Sequence, residues 1–213
     1  MTDTMAVTGA TGSMAVDVLL FDLGGVLIDY SGVQDLAALL PARAPDAEIR
    51  ARWSRCPHTE AFGLGRMTRD EFGERFVQHW GIRLPPEQFL REFRSWPRSF
   101  LPGAVELLAT LRPRVRLAAL SNSNELHWER NTDDLGLNQF FELAISSHEV
   151  GLGKPDPRIY ELALKRLGVP AEAVMFFDDA TANVRAASAL GMRAFQVDGV
   201  DDVRARLIKE GLL

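Results

Sequence analysis

A single cysteine, Cys56, rules out an intrachain disulfide, so nothing in the chain calls for an oxidising compartment. Lysine is nearly as scarce: Lys154, Lys165 and Lys209 are the only three, the other basic residues being arginines. No block of like charge is long enough to track a phosphate backbone, and the net charge is −5. Nucleic acid and anionic membrane surfaces are therefore not expected as partners. Met1 to Ala15 has no basic region and no sustained apolar stretch. It reads as a flexible leader, with Met14 as an alternative start, rather than as a signal peptide or membrane anchor. Gly9-Ala10-Thr11-Gly12-Ser13 faintly resembles a phosphate loop, but no strand precedes it and no helix follows. A cytoplasmic protein, monomer or homodimer, is the expectation.

What the chain does have is an ordinary globular composition, 46% hydrophobic and 25% charged over 213 residues, enough for one core and a smaller second module. The stretch from Val16 to Asp29 organises it. Val18-Leu19-Leu20-Phe21 has the length and content of a buried strand and runs abruptly into Asp22, then Gly24-Gly25. Asp22 is either a turn former or a reactive carboxylate at the edge where open α/β sheets bind ligands.

From Ser31 to Trp96 the apolar residues recur at helical spacing, as in Phe72, Phe76, Val77 and Trp80. Thr68-Arg69-Asp70-Glu71 is a capping box, and Pro85-Pro86 opens a further helix. From Pro102 onward helix and strand alternate. The strands are expected at Val115–Leu120, Leu143–Ser146, Val174–Phe177 and Ala194–Val197, and the helices end at Leu111 or span Glu125–Leu135, Pro157–Leu167, Ala182–Leu190 and Val203–Gly211. The expected fold is α/β, a Rossmann-like doubly wound parallel sheet formed by 16–30 and 98–213, with 31–97 inserted as an α-helical cap.

Three strands end in polar residues: Asp22, Ser121-Asn122 and Asp178-Asp179. In a parallel sheet those ends share one edge. Adjacent carboxylates there repel unless a cation or a proton lies between them, so the aspartates suggest an oxygen-rich site suited to magnesium. Helix capping by Asp179 or Thr181 is the alternative for one of them. Lys154, in the loop Gly151-Leu152-Gly153-Lys154-Pro155-Asp156-Pro157, is notable as one of three lysines but by itself reads as solvent-exposed; Asp156 and Pro157 start the next helix.

Taken in order, Asp22 with Gly24-Gly25, Ser121-Asn122, Lys154-Pro155, and Asp178-Asp179 with Asn183 resemble the four motifs of the haloacid dehalogenase superfamily. The resemblance runs from about Val16 to the C-terminus. More narrowly, it is to the subgroup with bacterial α-D-glucose-1-phosphatase and the N-terminal phosphatase domain of soluble epoxide hydrolase. It implies a magnesium-dependent phosphomonoesterase that acts on a small phosphorylated metabolite through an aspartyl phosphate. On that resemblance Asp22 is the nucleophile, and Asp22, the Gly24 carbonyl and Asp179 hold Mg2+, with Asp178 behind them. Ser121, Asn122, Lys154 and amides near Gly25 bind the phosphoryl group, and Asn183 orients Lys154 or metal-bound water.

One position departs from the family pattern. Most such phosphatases have a second aspartate two residues after the nucleophile as general acid and base; here it is Gly24, which cannot move a proton. Such catalysis is worth roughly 10²–10⁴-fold. Either the leaving group is weakly basic, as an anomeric sugar hydroxyl is, or Glu125 or His127 supplies the proton, or the substrate is a 2-haloacid whose halide needs none. A non-catalytic sensor of phosphometabolites is the reading from another class.

Overall fold

The computed structural model of the chain describes residues 15–213. The expected leader (apart from Ala15), the Gly9-to-Ser13 loop and the alternative start at Met14 lie outside the described residues. β1 (Val18–Phe21) is buried along its length, as four successive apolar side chains require of a strand covered on both faces. The chain then forms β2 (Ile28–Tyr30) and five helices, α1 (Gly32–Leu39), α2 (Asp46–Trp53), α3 (Pro57–Gly63), α4 (Arg69–Trp80) and α5 (Pro86–Arg94). β3 (Pro97–Phe100) and α6 (Ala104–Leu111) lead into β4 (Arg116–Ser121), α7 (Glu125–Glu129), β5 (Leu143–Ser146) and α8 (Ser147–Val150). The last third comprises α9 (Pro157–Leu167), β6 (Val174–Asp178), α10 (Thr181–Ala189), β7 (Arg193–Gln196) and α11 (Gly199–Lys209).

Five strands make one parallel sheet in the order β5-β4-β1-β6-β7, the doubly wound α/β arrangement. Because β1 is central and its neighbours β4 and β6 continue in opposite directions, the crevice of the fold opens at its C-terminal end. Register sharpens this: Phe21 is level with both Ala119 and Phe177, so Asp22, Ser121 and Asp178 reach the same edge. Leu19, Phe21, Met175 and Phe177 pack on α6 and α11, while Val18, Leu20, Phe176 and Leu120 pack on α9 and α10. Each face removes a separate apolar cluster from water, the main favourable term in the fold.

A third cluster belongs to the helical segment: Leu36, Ile49, Phe72, Phe76, Phe89 and Phe93 are buried together with Leu126 of α7. Phe62 and Phe72 stack at 4.3 Å and Phe76 and Phe89 at 5.0 Å. The expected capping box is formed, Thr68 Oγ1 accepting from the Glu71 N–H while Glu71 reaches back to the Thr68 N–H.

Four details differ from the sequence reading. β3 pairs antiparallel with β2, although Pro97-Arg98-Ser99 has no strand pattern; tertiary pairing creates it. The helix expected over 125–135 is regular only to Glu129, then widens into a π-helical turn, Arg130–Asp134. α11 starts at Gly199, four residues before the expected Val203, with Asp201 and Asp202 suited to its first turn. The single turn α8 is too short to leave a periodic pattern.

Candidate active site

Asp22 continues β1, its N–H donating to the Phe177 carbonyl at 2.8 Å. Both contacts to its carboxylate fall on one oxygen: the Leu23 N–H donates to Oδ1 at 2.7 Å, and Lys154 Nζ lies 2.9 Å from the same atom. Oδ2 takes no hydrogen bond among the described residues. Lys154 is not a surface lysine; its side chain is 1% exposed, and Nζ also donates to Asp178 Oδ2 at 2.6 Å. Asp178 is fully buried, and its Oδ1 accepts from the Ala180 N–H and from Asn183 Nδ2, each at 2.9 Å.

Three of the sequence expectations change at this point. Asn122, expected to bind substrate, has its side chain committed to the Lys154 backbone, Nδ2 donating to the carbonyl and Oδ1 accepting the N–H, both at 2.7 Å. It splints the loop that carries the lysine. The Gly25 N–H, expected to hold a phosphoryl oxygen, donates instead to the Ile28 carbonyl at 3.0 Å. Asn183 holds Asp178, so any effect it has on Lys154 passes through that carboxylate.

Gly25 has a different reason to be glycine. Its φ is +76°, and a Cβ there would lie 3.1 Å from Asp179 Oδ2. The Asp179 carboxylate therefore rests against the Gly24-Gly25 turn at the exposed mouth of the crevice. Neither Asp179 nor Thr181 caps α10; the N-cap is Ala180, without a side-chain bond. The acids are not accounted for by capping.

Oxygens of Asp22, Asp178 and Asp179 lie within 4.8 Å of one another, with Lys154 as the one ammonium beside them among the described residues. Burial pushes the Asp22 carboxyl up to about 6; Lys154 opposes that rise and Asp178 adds to it. Partial desolvation and Asp178 also raise Asp179. Burial works against the Lys154 charge, yet Asp22 and Asp178 more than offset it and hold the ammonium above its usual range. Three carboxylates against one lysine leave a deficit of positive charge on hard oxygen donors, which fits a divalent cation such as magnesium. Since Asp178 already accepts from Lys154, Ala180 and Asn183, the groups that would hold the ion are Asp22, Asp179 and the Gly24 carbonyl.

Between this edge and the helical segment lies a cavity of about 680 Å³. Ser121 and Lys154 line it from the sheet, Tyr30 from β2, and Thr59 and Phe93 from the helices. Ser147 ties the two sides together, its Oγ lying 2.6 Å from the Gly63 carbonyl and 2.9 Å from the Ser123 carbonyl. Neither proposed proton donor is free. His127 is buried against Phe93, with Nε2 2.8 Å from the Phe93 carbonyl and Nδ1 3.0 Å from Asn124 Nδ2. That pairing makes Nε2 the protonated nitrogen, and burial depresses its pKa to about 4. Glu125 is paired with Arg69. Tyr30, whose ring would meet a Gly24 Cβ at 3.6 Å, and the buried Asn131 also line the cavity, and no motif marks either.

The chain is similar over part of its length to a phosphoserine phosphatase of Thermus thermophilus, 41% identical over 114 residues, which are 53% of this chain and 45% of that protein. It is 24% identical to a D-ribitol-5-phosphate phosphatase of Bacteroides thetaiotaomicron, across 89% of this chain and 95% of the relative. Among solved structures, an enzyme of the same superfamily from Bacteroides thetaiotaomicron, in complex with magnesium and inorganic phosphate, superposes with a TM-score of 0.73 at 22% identity, covering 85% of this chain and 94% of that one. The family model for haloacid dehalogenase-like hydrolases matches residues 16–191, most of the chain, and the protein belongs to that family.

Proposed function

We propose that the protein is a magnesium-dependent phosphomonoesterase that cleaves small phosphorylated metabolites through a phosphoryl group carried on Asp22. The observation that carries this reading is the placement of Lys154, buried between Asp22 and Asp178 with Asp179 beside them at the mouth. The phosphatase names of the two relatives support it.

When bound, magnesium would offset the charge of Asp22 and of the phosphoryl oxygens, so that one anion can approach another. The rest is done by the chain. Leu23 and Lys154 hold Oδ1 of Asp22, so Oδ2 attacks phosphorus in line, and its bond to phosphorus forms as the bond to the leaving oxygen breaks. Lys154 counters charge on the nucleophile and phosphoryl group, and Ser121 binds a phosphoryl oxygen. Asn122 and Asp178 keep Lys154 at that point. Water then attacks the phosphorus of the aspartyl phosphate, releasing phosphate and regenerating the carboxylate. The helical segment acts as a cap that limits water entry.

With Gly24 in place of an acid, and Glu125 and His127 committed elsewhere, the leaving oxygen takes its proton from solvent. This favours esters with a less basic leaving group, with sugar 1-phosphates first. A 2-haloacid dehalogenase is the second reading, because Gly24 suits a halide that departs without a proton; the acidic cluster weighs against it. The single buried Cys56 is compatible with a cytoplasmic setting.

The test is phosphate release from α-glucose 1-phosphate, glucose 6-phosphate and a nitrophenyl ester, with magnesium or chelator, beside halide release from 2-haloacids. Magnesium-dependent phosphate release, abolished by Asp22→Asn, is the expected result. Halide release alone establishes the second reading, and no turnover of any substrate leaves a sensor.

A further inference from the structure

Ser147 does more than join two walls of the cavity. It is 2% exposed, and its hydroxyl meets three backbone groups. Oγ accepts the Ser123 N–H at 3.0 Å, and its one proton faces two carbonyls, that of Ser123 at 2.9 Å and that of Gly63 at 2.6 Å. Gly63 ends α3 of the helical segment, whereas Ser123 lies in the loop that leaves β4. The proton can be given fully to only one carbonyl at a time, so the hold on Ser123 depends on where Gly63 sits.

Two other contacts press the same connection onto this edge of the sheet. Gly65 has φ +65°, and a Cβ there would overlap the His148 carbonyl oxygen, so the backbone between α3 and α4 lies directly on α8. A Cβ at Gly153 would meet Leu64 Cδ2 at 3.4 Å and Asn122 Oδ1 at 3.3 Å. Leu64 therefore rests against the lysine loop where Asn122 splints it. Ser147 holds both loops itself, because its carbonyl accepts the Gly151 N–H at 2.9 Å, at the start of the stretch that carries Lys154. Moving Ser123 would shift Ser121, to which the phosphomonoesterase reading gives a phosphoryl oxygen. It would also loosen the two 2.7 Å bonds from Asn122 to the Lys154 backbone.

We propose that Ser147 is a positioning residue, which brings Ser121 and Lys154 into reacting geometry according to how the 63–65 connection is seated. This rests on the phosphomonoesterase reading and adds to it a residue outside the four motifs. Ser147 acts through the Ser123 backbone and the lysine loop. With the connection unseated the site is slack, and with it seated the two loops are held together. A misplacement of about 1 Å costs on the order of 10²-fold in rate. A helical segment exchanged for this one must present an equivalent carbonyl to Ser147.

The experiment measures kcat and KM for nitrophenyl phosphate with magnesium, in wild type, Ser147→Ala, Gly65→Ala and the double variant, with folding checked by circular dichroism. Ser147→Ala should lower kcat by about 10²-fold with KM little changed, because what is lost is alignment in the transition state. Gly65→Ala lifts the connection without altering Ser147, and should lower kcat by about tenfold or more. Since both substitutions break one coupling, the double variant should be within about twofold of the slower single. Ser147→Cys, close in shape but a weak donor and acceptor, should lose kcat in the same direction and carries the test if Ser147→Ala does not fold. Wild-type kcat in the Ser147 variants, a change confined to KM, or losses that multiply in the double variant would overturn the proposal while leaving the phosphomonoesterase reading intact. No phosphate from the wild type with any ester would overturn both.

Discussion

Lys154→Met tests the centre of the site, because methionine matches the shape of the lysine stem and removes the ammonium with its charge and hydrogen bonds. In the wild type Nζ lies 2.9 Å from Asp22 Oδ1 and 2.6 Å from Asp178 Oδ2, with the side chain 1% exposed. Without it, two buried carboxylates face each other with no compensating charge. Removing one partner of a buried ion pair costs about 3–5 kcal/mol, a large part of the roughly 5–15 kcal/mol by which domains are stable. With a urea m-value of about 1–3 kcal/mol/M, the midpoint should fall by at least ~1 M in chelator. Magnesium in the acidic cluster should restore part of the loss, about 2.7 kcal/mol at a concentration 100 times its Kd. The assay is urea unfolding followed by circular dichroism, at about pH 8, where the wild-type Asp22, pushed up to about 6 with Lys154 beside it, is ionised. Asp178→Asn and the double variant complete a cycle. Since the damage in Lys154→Met comes from unpaired charge, the double variant should be less destabilised than the sum of the singles by about 1 kcal/mol or more. Additive losses, or a Lys154→Met midpoint within error of wild type, would refute the reasoning.

Two further outcomes follow from the geometry. His127 is held at about 4 by burial, below its ordinary 6.5, so between those values the unfolded chain takes up a proton that the folded chain does not. Stability should therefore fall as pH drops from about 6.5 towards 4, by up to about 3 kcal/mol from this group. Urea midpoints across that range should slope less steeply in His127→Phe, and equal slopes would count against it. Gly25→Ala forces a Cβ to φ +76° and to within 3.1 Å of Asp179 Oδ2, so it should cost about 1–2 kcal/mol in backbone strain and displace that carboxylate. The magnesium concentration giving half-maximal phosphate release should rise about tenfold, the scale on which disturbed metal surroundings act. A destabilised variant with unchanged magnesium dependence would assign the glycine to backbone conformation alone.

Much of this was legible in the chain because local signals agreed with the global arrangement. Val18 to Phe21 could only be a buried strand, and a strand of that kind sets the edge on which Asp22, Ser121 and Asp178 meet. Lys154 in its glycine-flanked loop read by itself as solvent-exposed, and only the family resemblance assigned it to that edge. What was not legible depends on partners distant in sequence. Asn122 has the chemistry of a ligand-binding residue, and only the approach of the Lys154 backbone shows that both ends of its side chain are occupied. Glu125 and His127 stood at plausible positions for proton transfer, until Arg69 and the Phe93 carbonyl, more than thirty residues away, claimed them. The π-helical turn that carries Asn131 has no signature in residue types, since its apolar spacing still approximates a helix. β3 lacks a strand pattern because β2 supplies the partner that makes it one.

The pairing of β2 with β3 has an evolutionary consequence. Antiparallel neighbours lie about 5 Å apart, so the chain enters and leaves the helical segment at nearly the same point, through the two-stranded β2–β3 ribbon, whatever lies between Tyr30 and Pro97. The intervening helices also carry most of their own apolar cluster. Lengthening, shortening or exchanging them changes loop-closure entropy only slowly with length and leaves the register around Asp22 untouched. The ancestry of the reaction chemistry and that of the substrate wall can therefore diverge within one gene. A swap of residues 31–96 for another helical segment whose two ends lie equally close is the natural way to retarget this hydrolase.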